Sequence, residues 1–301
     1  MPERKKVAVI GLGSMGYGVA ASVLRAGHDV LGVDLNPDQV AKFTAAGGMS
    51  GRLADHAGAL DVVVTVVLNA AQTEAVLFGA SGVVAQMNAG SVVIGCATVA
   101  PDFAREMESR CGAAGVHYLD APISGGPLRA ADGALSVMSS GRRAAYDGAR
   151  AVLNAMASDV FELGDCAGAG SAMKAVNQML VGVHIAATAE AMTFGMTQGV
   201  TPDKFIEVIS KSAGTSWALE SRAPHIANGD YFPHSQVNIW PKDLGIVLDI
   251  AQKAQFSAPL AAAALQQFLA AQGSGLGAED DAAVAKVYAR NAGLSLPEAD
   301  Q

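Results

Sequence analysis

Lys174, Asn177 and Gln178 form the best cluster of polar chemistry in this chain. They lie in Gly168 to Gln178, G-A-G-S-A-M-K-A-V-N-Q, with the two amides three and four positions after the lysine. On a helix that spacing puts all three on one face, one turn apart. A lysine can give or take a proton, and an amide beside it can orient a bound hydroxyl or carbonyl. Gly168 and Gly170 precede the lysine, and glycine lets a backbone approach a ligand closely. The competing reading of the same spacing is an exposed lysine near a helix start.

Two further stretches carry chemistry. In Asp120-Ala121-Pro122-Ile123-Ser124-Gly125-Gly126-Pro127, the successive backbone N–H groups around Ser124, Gly125 and Gly126 suit a carboxylate. Ser124 adds a hydroxyl donor; a plain Gly/Pro connection is the alternative. The other stretch is Gly11-Leu12-Gly13-Ser14-Met15-Gly16, directly after the β-branched run Val7 to Ile10. Gly11 permits a tight turn, Gly13 lets backbone reach a pyrophosphate, and Gly16 lets the following helix pack on the strand. The helix N-terminus then offers N–H groups and a positive dipole end to the phosphates. Asp34 closes the next strand near the spacing of about 20 residues expected for a ribose-binding carboxylate. It would repel a 2′-phosphate, and Leu35 and Asn36 offer no cation to hold one, which favours NAD over NADP. Asn36-Pro37 itself reads as a helix start.

Strands alternating with helices must position these groups. Val7 to Ile10, Asp29 to Val33, Asp61 to Leu68, Ser91 to Ala97 and Val116 to Asp120 read as strands of a parallel sheet. Helices are expected at Tyr17 to Ala26, Ala71 to Leu77 and Asp102 to Ala113. Leu135 to Ser140 and Val160 to Leu163 read as an antiparallel extension. The fold class is therefore α/β, an N-terminal Rossmann doubly wound sheet over 1–165, followed by an all-helical domain over 166–301. Ligands of such sheets bind beyond the carboxyl ends of the strands. There, Leu68 and Asn69 would flank adenosine, and Thr98 would offer a hydroxyl to the nicotinamide or to substrate, or form a turn before Pro101. Ser171 to Gln198 is apolar on nearly every face and reads as a buried helix. Trp217 and Trp240 read either as pocket walls or as core. His184 and His225 lie in no catalytic constellation. Glu279-Asp280-Asp281 reads as a charged helix start rather than a metal site.

The chain has 301 residues, of which 51% are hydrophobic, with a formal net charge of -8. That balance is globular and lacks the basic face needed to grip nucleic acid. Cys96, Cys111 and Cys166 show no metal or disulfide spacing, which suits a reducing cytoplasm. No apolar run reads as a membrane span, and no membrane partner is expected.

Taken together, G-L-G-S-M-G, D-A-P-I-S-G-G, G-A-G-S-A-M-K-A-V-N-Q and K-D-L at Lys242 to Leu244 resemble the β-hydroxyacid dehydrogenase family, in its order and over nearly the whole chain. The stretches Ser212 to Arg222, which contains Trp217, and Gly229 to Ser235 are similar to the branch that acts on L-threonate. The resemblance implies NAD as cofactor and a small hydroxy acid as substrate. It implies Lys174 as catalytic acid/base, with Ser124, Gly125 and Gly126 holding the substrate carboxylate. It further implies that Asn177 and Gln178 orient substrate, that Thr98 and Lys242 sit at the cofactor, and that the chain forms a homodimer or homotetramer. An unperturbed lysine titrates at about 10.4, so a base role requires burial or a neighbouring positive charge. The chain departs from the family at Val67-Leu68-Asn69, where many members carry Met-Leu-Pro, and at Gln178, where some carry Asn. A 3-hydroxyisobutyrate dehydrogenase or tartronate semialdehyde reductase is the alternative within the family. A decarboxylating 6-phosphogluconate-type enzyme fits less well, because its lysine motif usually has His-Asn where this chain has Asn177-Gln178. A silent nucleotide-sensing module is the alternative outside enzymes.

Overall fold

The computed structural model describes residues 4–299 and divides into two compact units, 1–174 and 175–301. In the first, β1 (Lys6–Ile10), α1 (Gly16–Arg25), β2 (Asp29–Val33), α2 (Pro37–Ala45), a single turn α3 (Leu53–His56), β3 (Val62–Thr65), α4 (Ala70–Phe78), β4 (Val92–Gly95), α5 (Pro101–Ala113) and β5 (His117–Asp120) alternate. The five strands form one parallel sheet in the order β2-β1-β3-β4-β5. Strand side chains point alternately to opposite faces, so a sheet covered on both sides needs apolar residues at every position. Val7, Val9, Val62 and Val64 pack on one face with Val19 and Val23 of α1. Ala8, Ile10 and Val63 pack on the other with Leu77 of α4 and Met107 of α5. The order reverses between β1 and β3, the switch point at which such sheets bind ligands.

The remainder of the first unit differs from the sequence expectation. β6 (Ile123–Ser124), α6 (Gly126–Asp132), β7 (Leu135–Ser139), α7 (Arg143–Met156) and β8 (Ala157–Glu162) make a separate sheet in the order β6-β7-β8. β6 and β7 are antiparallel, but β7 and β8 are parallel. A parallel pair needs a crossover, and α7 supplies it; its Tyr146, Ala149 and Leu153 are buried in the core.

The boundary between the units falls inside α8 (Ala169–Thr197), a continuous helix of 29 residues. The second unit adds α9 (Pro202–Ile209), α10 (Trp217–Asn228), α11 (Ile239–Lys253), α12 (Pro259–Ala271) and α13 (Ala285–Asn291). By length and composition alone α8 is long and apolar enough to cross a bilayer, so the expectation of no such segment is corrected. Ile185, Ala189 and Met192 instead lie in the core of the second unit. Nor is α8 buried all round, since Met173, Val176 and Leu180 form an exposed stripe along it.

All three cysteines are unpaired, and only Cys166 is exposed. Burial, assisted by the nearby Asp120 charge, pushes the Cys96 thiol up to about 12. Burial does the same for Cys111, against the opposing charge of Arg110. At pH 8 such thiols are ionised roughly one part in 10⁴. Alkylation of the folded chain at that pH should therefore add one label, at Cys166, with Cys96 and Cys111 reacting only after denaturation. Mass spectrometry of the labelled chain checks this.

Candidate active site

The glycine cradle follows from steric limits at two positions and open space at a third. Gly11 has φ +94, and a Cβ there would lie 2.2 Å from the Val66 carbonyl oxygen. A Cβ at Gly16 would lie 1.8 Å from the Gly11 carbonyl oxygen, so only glycine lets α1 start against the turn. A Cβ at Gly13 would meet nothing within 4 Å. Gly13 and Ser14 are exposed, whereas the Leu12 side chain is fully buried, leaving its backbone as the part facing the turn. Leu12 N–H donates to Asp34 Oδ2 at 2.6 Å, and Asn36 N–H donates to Asp34 Oδ1 at 2.8 Å. The two amides fix the carboxylate, and each oxygen keeps a lone pair for a ribose hydroxyl. Met15 is the residue before α1, and Leu35 is fully exposed beside Asp34. A dinucleotide fits this cradle: open space beside Gly13, exposed N–H groups at a helix start, and an acidic residue at the end of β2.

The 2′-phosphate of NADP would be brought against the Asp34 carboxylate. Like charges so juxtaposed cost several kcal/mol, or about 10²-fold or more in kcat/KM. Initial rates with NAD and NADP on one substrate should show that preference, and a preference for NADP would contradict it. Leu68 and Asn69 follow β3 beyond its carboxyl end. Leu68 is exposed, while Asn69 caps α4 by accepting from Gln72 N–H at 2.9 Å. The cap accounts for Asn at this point of the chain. Thr98 is half-buried after β4.

Lys174 ends the first unit and is 7% exposed. Its Nζ donates to the Ile123 carbonyl at 2.9 Å, one residue before Ser124. The lysine is thus the buried alternative of the two read from the sequence. Ser124 lies in β6 opposite Ser136. Gly125 has φ +134, a conformation side chains rarely adopt, and there the chain turns from β6 into α6 at Gly126. Ser124, Gly125 and Gly126 are all partly accessible.

One buried carboxylate ties this loop to the helix of the lysine. Asp120 is 1% exposed. Its Oδ2 accepts from Gly168 N–H at 2.9 Å, Ser171 N–H at 2.9 Å and the Ser140 hydroxyl at 3.2 Å. Its Oδ1 accepts from the Ser171 hydroxyl at 2.7 Å. The two amides are those of the residue just before α8 and of its first turn, where N–H groups have no partner within the helix. Asp120 opens D-A-P-I-S-G-G, so the motif itself was the signal; spacing assigned it no task, because its partners lie 48 and 51 residues away.

In the second unit, Gln178 is buried and its amide is fully engaged. Nε2 donates to Asp243 Oδ2 at 2.5 Å, and Oε1 accepts from Asn177 Nδ2 at 2.9 Å. Asn177 is half-buried. Lys242 forms an ion pair with Asp243 Oδ1 at 2.5 Å. Asp243 was the unassigned letter of K-D-L. Trp217 opens α10 and is 61% exposed, whereas Trp240 is core, stacked on Phe268 with its Nε1–H given to Asp281 Oδ2 at 3.0 Å. Asp280 starts a 3₁₀ turn by accepting from Ala282 N–H. Unlike a solvated helix start, Asp280 and Asp281 are fully buried, and Arg222 donates to Asp281 at 2.5 Å. His225 turns Nδ1 to the Asp230 carbonyl at 3.1 Å, a local loop contact.

A glycine cradle at the switch point and an acidic residue ending β2 define a dinucleotide-binding protein. Comparison with known proteins narrows the class. Residues 6–164 match the family described as the NAD binding domain of 6-phosphogluconate dehydrogenase, and residues 168–288 match NAD-binding of NADP-dependent 3-hydroxyisobutyrate dehydrogenase. An L-threonate dehydrogenase of Cupriavidus necator is 50% identical, over 97% of this chain and 98% of that protein. An L-threonate dehydrogenase of Escherichia coli K12 is 42% identical, over 97% of each. A crystal structure of 3-hydroxyisobutyrate dehydrogenase from Salmonella typhimurium superposes with a TM-score of 0.89 at 44% identity, covering 94% of this chain and 99% of that one. The chain belongs to the β-hydroxyacid dehydrogenase family and is an NAD-dependent hydroxyacid dehydrogenase.

Proposed function

We propose that this enzyme oxidises L-threonate to its 2-oxo acid, with Lys174 as acid/base. The observation that carries the reading is the buried Lys174 Nζ on the Ile123 carbonyl, at the lip of the Ser124 to Gly126 loop. A carboxylate held by that loop puts the neighbouring hydroxyl-bearing carbon within reach of the lysine. NAD, when bound, supplies the hydride acceptor. Ser124, Gly125 and Gly126 bind the carboxylate and fix the face of the substrate presented. Lys174, as the amine, takes the hydroxyl proton while the C–H hydride leaves; in reverse, the ammonium returns that proton to the oxygen. Asn177 orients the substrate, Trp217 walls its site, and Thr98 and Lys242 sit at the cofactor. The L-threonate dehydrogenases at 42–50% identity support this choice of substrate.

The test is NAD reduction against L-threonate, other four-carbon sugar acids, 3-hydroxyisobutyrate, L-serine and glycerate. L-Threonate should give the highest kcat/KM; a higher value for 3-hydroxyisobutyrate or glycerate would replace this reading. We further read the chain as a cytoplasmic homodimer or homotetramer with no nucleic-acid or membrane partner. The exposed Met173, Val176 and Leu180 of α8 are the surface to be covered. A monomer by light scattering would contradict the oligomer.

A further inference from the structure

We propose that Asp243 is a positioning residue that sets the polarity of the Asn177 amide through Gln178. The site thereby presents Asn177 Oδ1 as an acceptor for a substrate hydroxyl on the carbon next to the one oxidised. This deepens the reading of Lys174 and a sugar-acid substrate and rests on it.

In this chain of contacts the Asp243 side chain is the acceptor whose polarity is beyond choice. A carboxylate accepts hydrogen bonds and donates none. Lys242 Nζ lies 2.5 Å from Asp243 Oδ1, so Asp243 stands in an ion pair as its carboxylate partner. The amide end facing Asp243 Oδ2 at 2.5 Å must then be the donor, so Gln178 places Nε2 there and Oε1 at the other end. Oε1 is an acceptor, and the Asn177 group 2.9 Å from it must be Nδ2. Asn177 Oδ1 is thereby turned away from Gln178. Among the described residues it accepts no hydrogen bond, and Asn177 remains half-buried. Asp243 is 2% exposed and Gln178 is 8% exposed, so water cannot compensate a reversed amide. Reversal would set two acceptor oxygens against each other in a dry site, where mismatched polar groups are most costly.

Asn177 follows Lys174 by three positions on one continuous helix, so Oδ1 and Nζ share a face. An outward carbonyl oxygen there rewards a hydroxyl and rejects a methylene. Sites that hydrogen-bond a substrate hydroxyl discriminate strongly against the analogue lacking it. Gln in place of the Asn found in some relatives has a physical use here: its longer side chain spans from Asp243 to Asn177.

The test uses the full chain with NAD and two substrates, L-threonate and its 3-deoxy analogue 2,4-dihydroxybutanoate. The ratio of their kcat/KM values cancels effects on cofactor binding and on Lys174. The wild-type ratio should be about 10²-fold or more. Asp243→Asn is isosteric and lets the relay reverse, so the ratio should fall at least about tenfold, mainly through KM for L-threonate. Gln178→Glu placed in the Asp243→Asn chain gives an independent readout. A carboxylate at 178 can only accept, so it again holds Asn177 Nδ2 whichever end of the new amide at 243 faces it, and the double variant should regain most of the discrimination that Asp243→Asn loses. A merely structural role for Asp243 would not be rescued in this way. If neither substrate turns over in the wild type, the functional reading fails and takes the relay with it. If L-threonate is oxidised but the wild-type ratio is near one, or Asp243→Asn keeps the wild-type ratio, or the double variant regains none of it, the relay is overturned and the function stands.

Discussion

Lys174→Ala should lower turnover by about 10²- to 10⁴-fold and leave NAD affinity unchanged. The two halves of this expectation have separate origins. The cofactor cradle is built from Gly11, Gly13, Gly16 and Asp34, whose carboxylate is fixed by the amides of Leu12 and Asn36, so fluorescence titration with NADH should match wild type. The loss of rate falls on proton transfer, because no other titratable side chain shares the lysine's face among Lys174, Asn177 and Gln178. Lys174→Arg keeps a positive charge yet holds its proton too tightly to exchange it, and should be nearly as slow. A small primary amine added to the Ala variant should restore part of the rate, since it replaces the lost acid/base group. Turnover near wild type in the Ala variant would remove Lys174 from the mechanism.

Asp120→Ala should lower stability by about 3 kcal/mol, mostly through donors left unsatisfied rather than through lost contacts. Gly168 N–H and Ser171 N–H would lose their acceptor in a buried setting, while the Ser140 and Ser171 hydroxyls can rotate toward other partners. For a unit of this size the change corresponds to a drop in Tm of about 6–12 °C. Asp120→Asn keeps an acceptor for both amides and can point its NH₂ at the Ser171 hydroxyl, so it should recover most of the loss. A Tm for the Ala variant within a degree or two of wild type would refute the clamp. The pH dependence has a definite sign. Burial raises the Asp120 pKa above the ordinary aspartate value, against the lowering effect of its hydrogen bonds to Ser171, Gly168 and Ser140. Ionisation therefore costs more in the folded than in the unfolded chain. The group's contribution is greatest below its unfolded pKa and is lost as pH rises through its folded pKa. Wild type should accordingly gain stability over the Asn variant as pH falls from neutral toward the ordinary carboxylate range.

Much of the first unit was legible because it is governed by neighbours in sequence. Runs such as Val62 to Thr65 announce strands buried on both faces, and Gly11 and Gly16 announce a turn that side chains would block. The helix α7 escaped because its polar residues, among them Arg143, Asp147 and Arg150, all face solvent and dilute its apolar side. With that helix unread, β7 and β8 looked like adjacent antiparallel strands. The stripe Met173, Val176 and Leu180 escaped for the opposite reason: apolar character all round α8 conceals which face is covered.

The sequence by itself determined the doubly wound sheet, the dinucleotide cradle, the acidic residue that ends β2 and the shared helix face of Lys174, Asn177 and Gln178. Each depends on spacing within a turn, a helix face or a strand, where covalent connection fixes the distance between side chains. Only the tertiary structure decided what those side chains do for one another. Lys174 meets Ile123 across 51 residues, and Gln178 meets Asp243 across 65. Over such separations the chain sets no distance, and hydrogen-bond partners are selected by packing. Gln178 therefore belongs to Asp243, and Asn177 is the amide to which the proposed substrate contact falls.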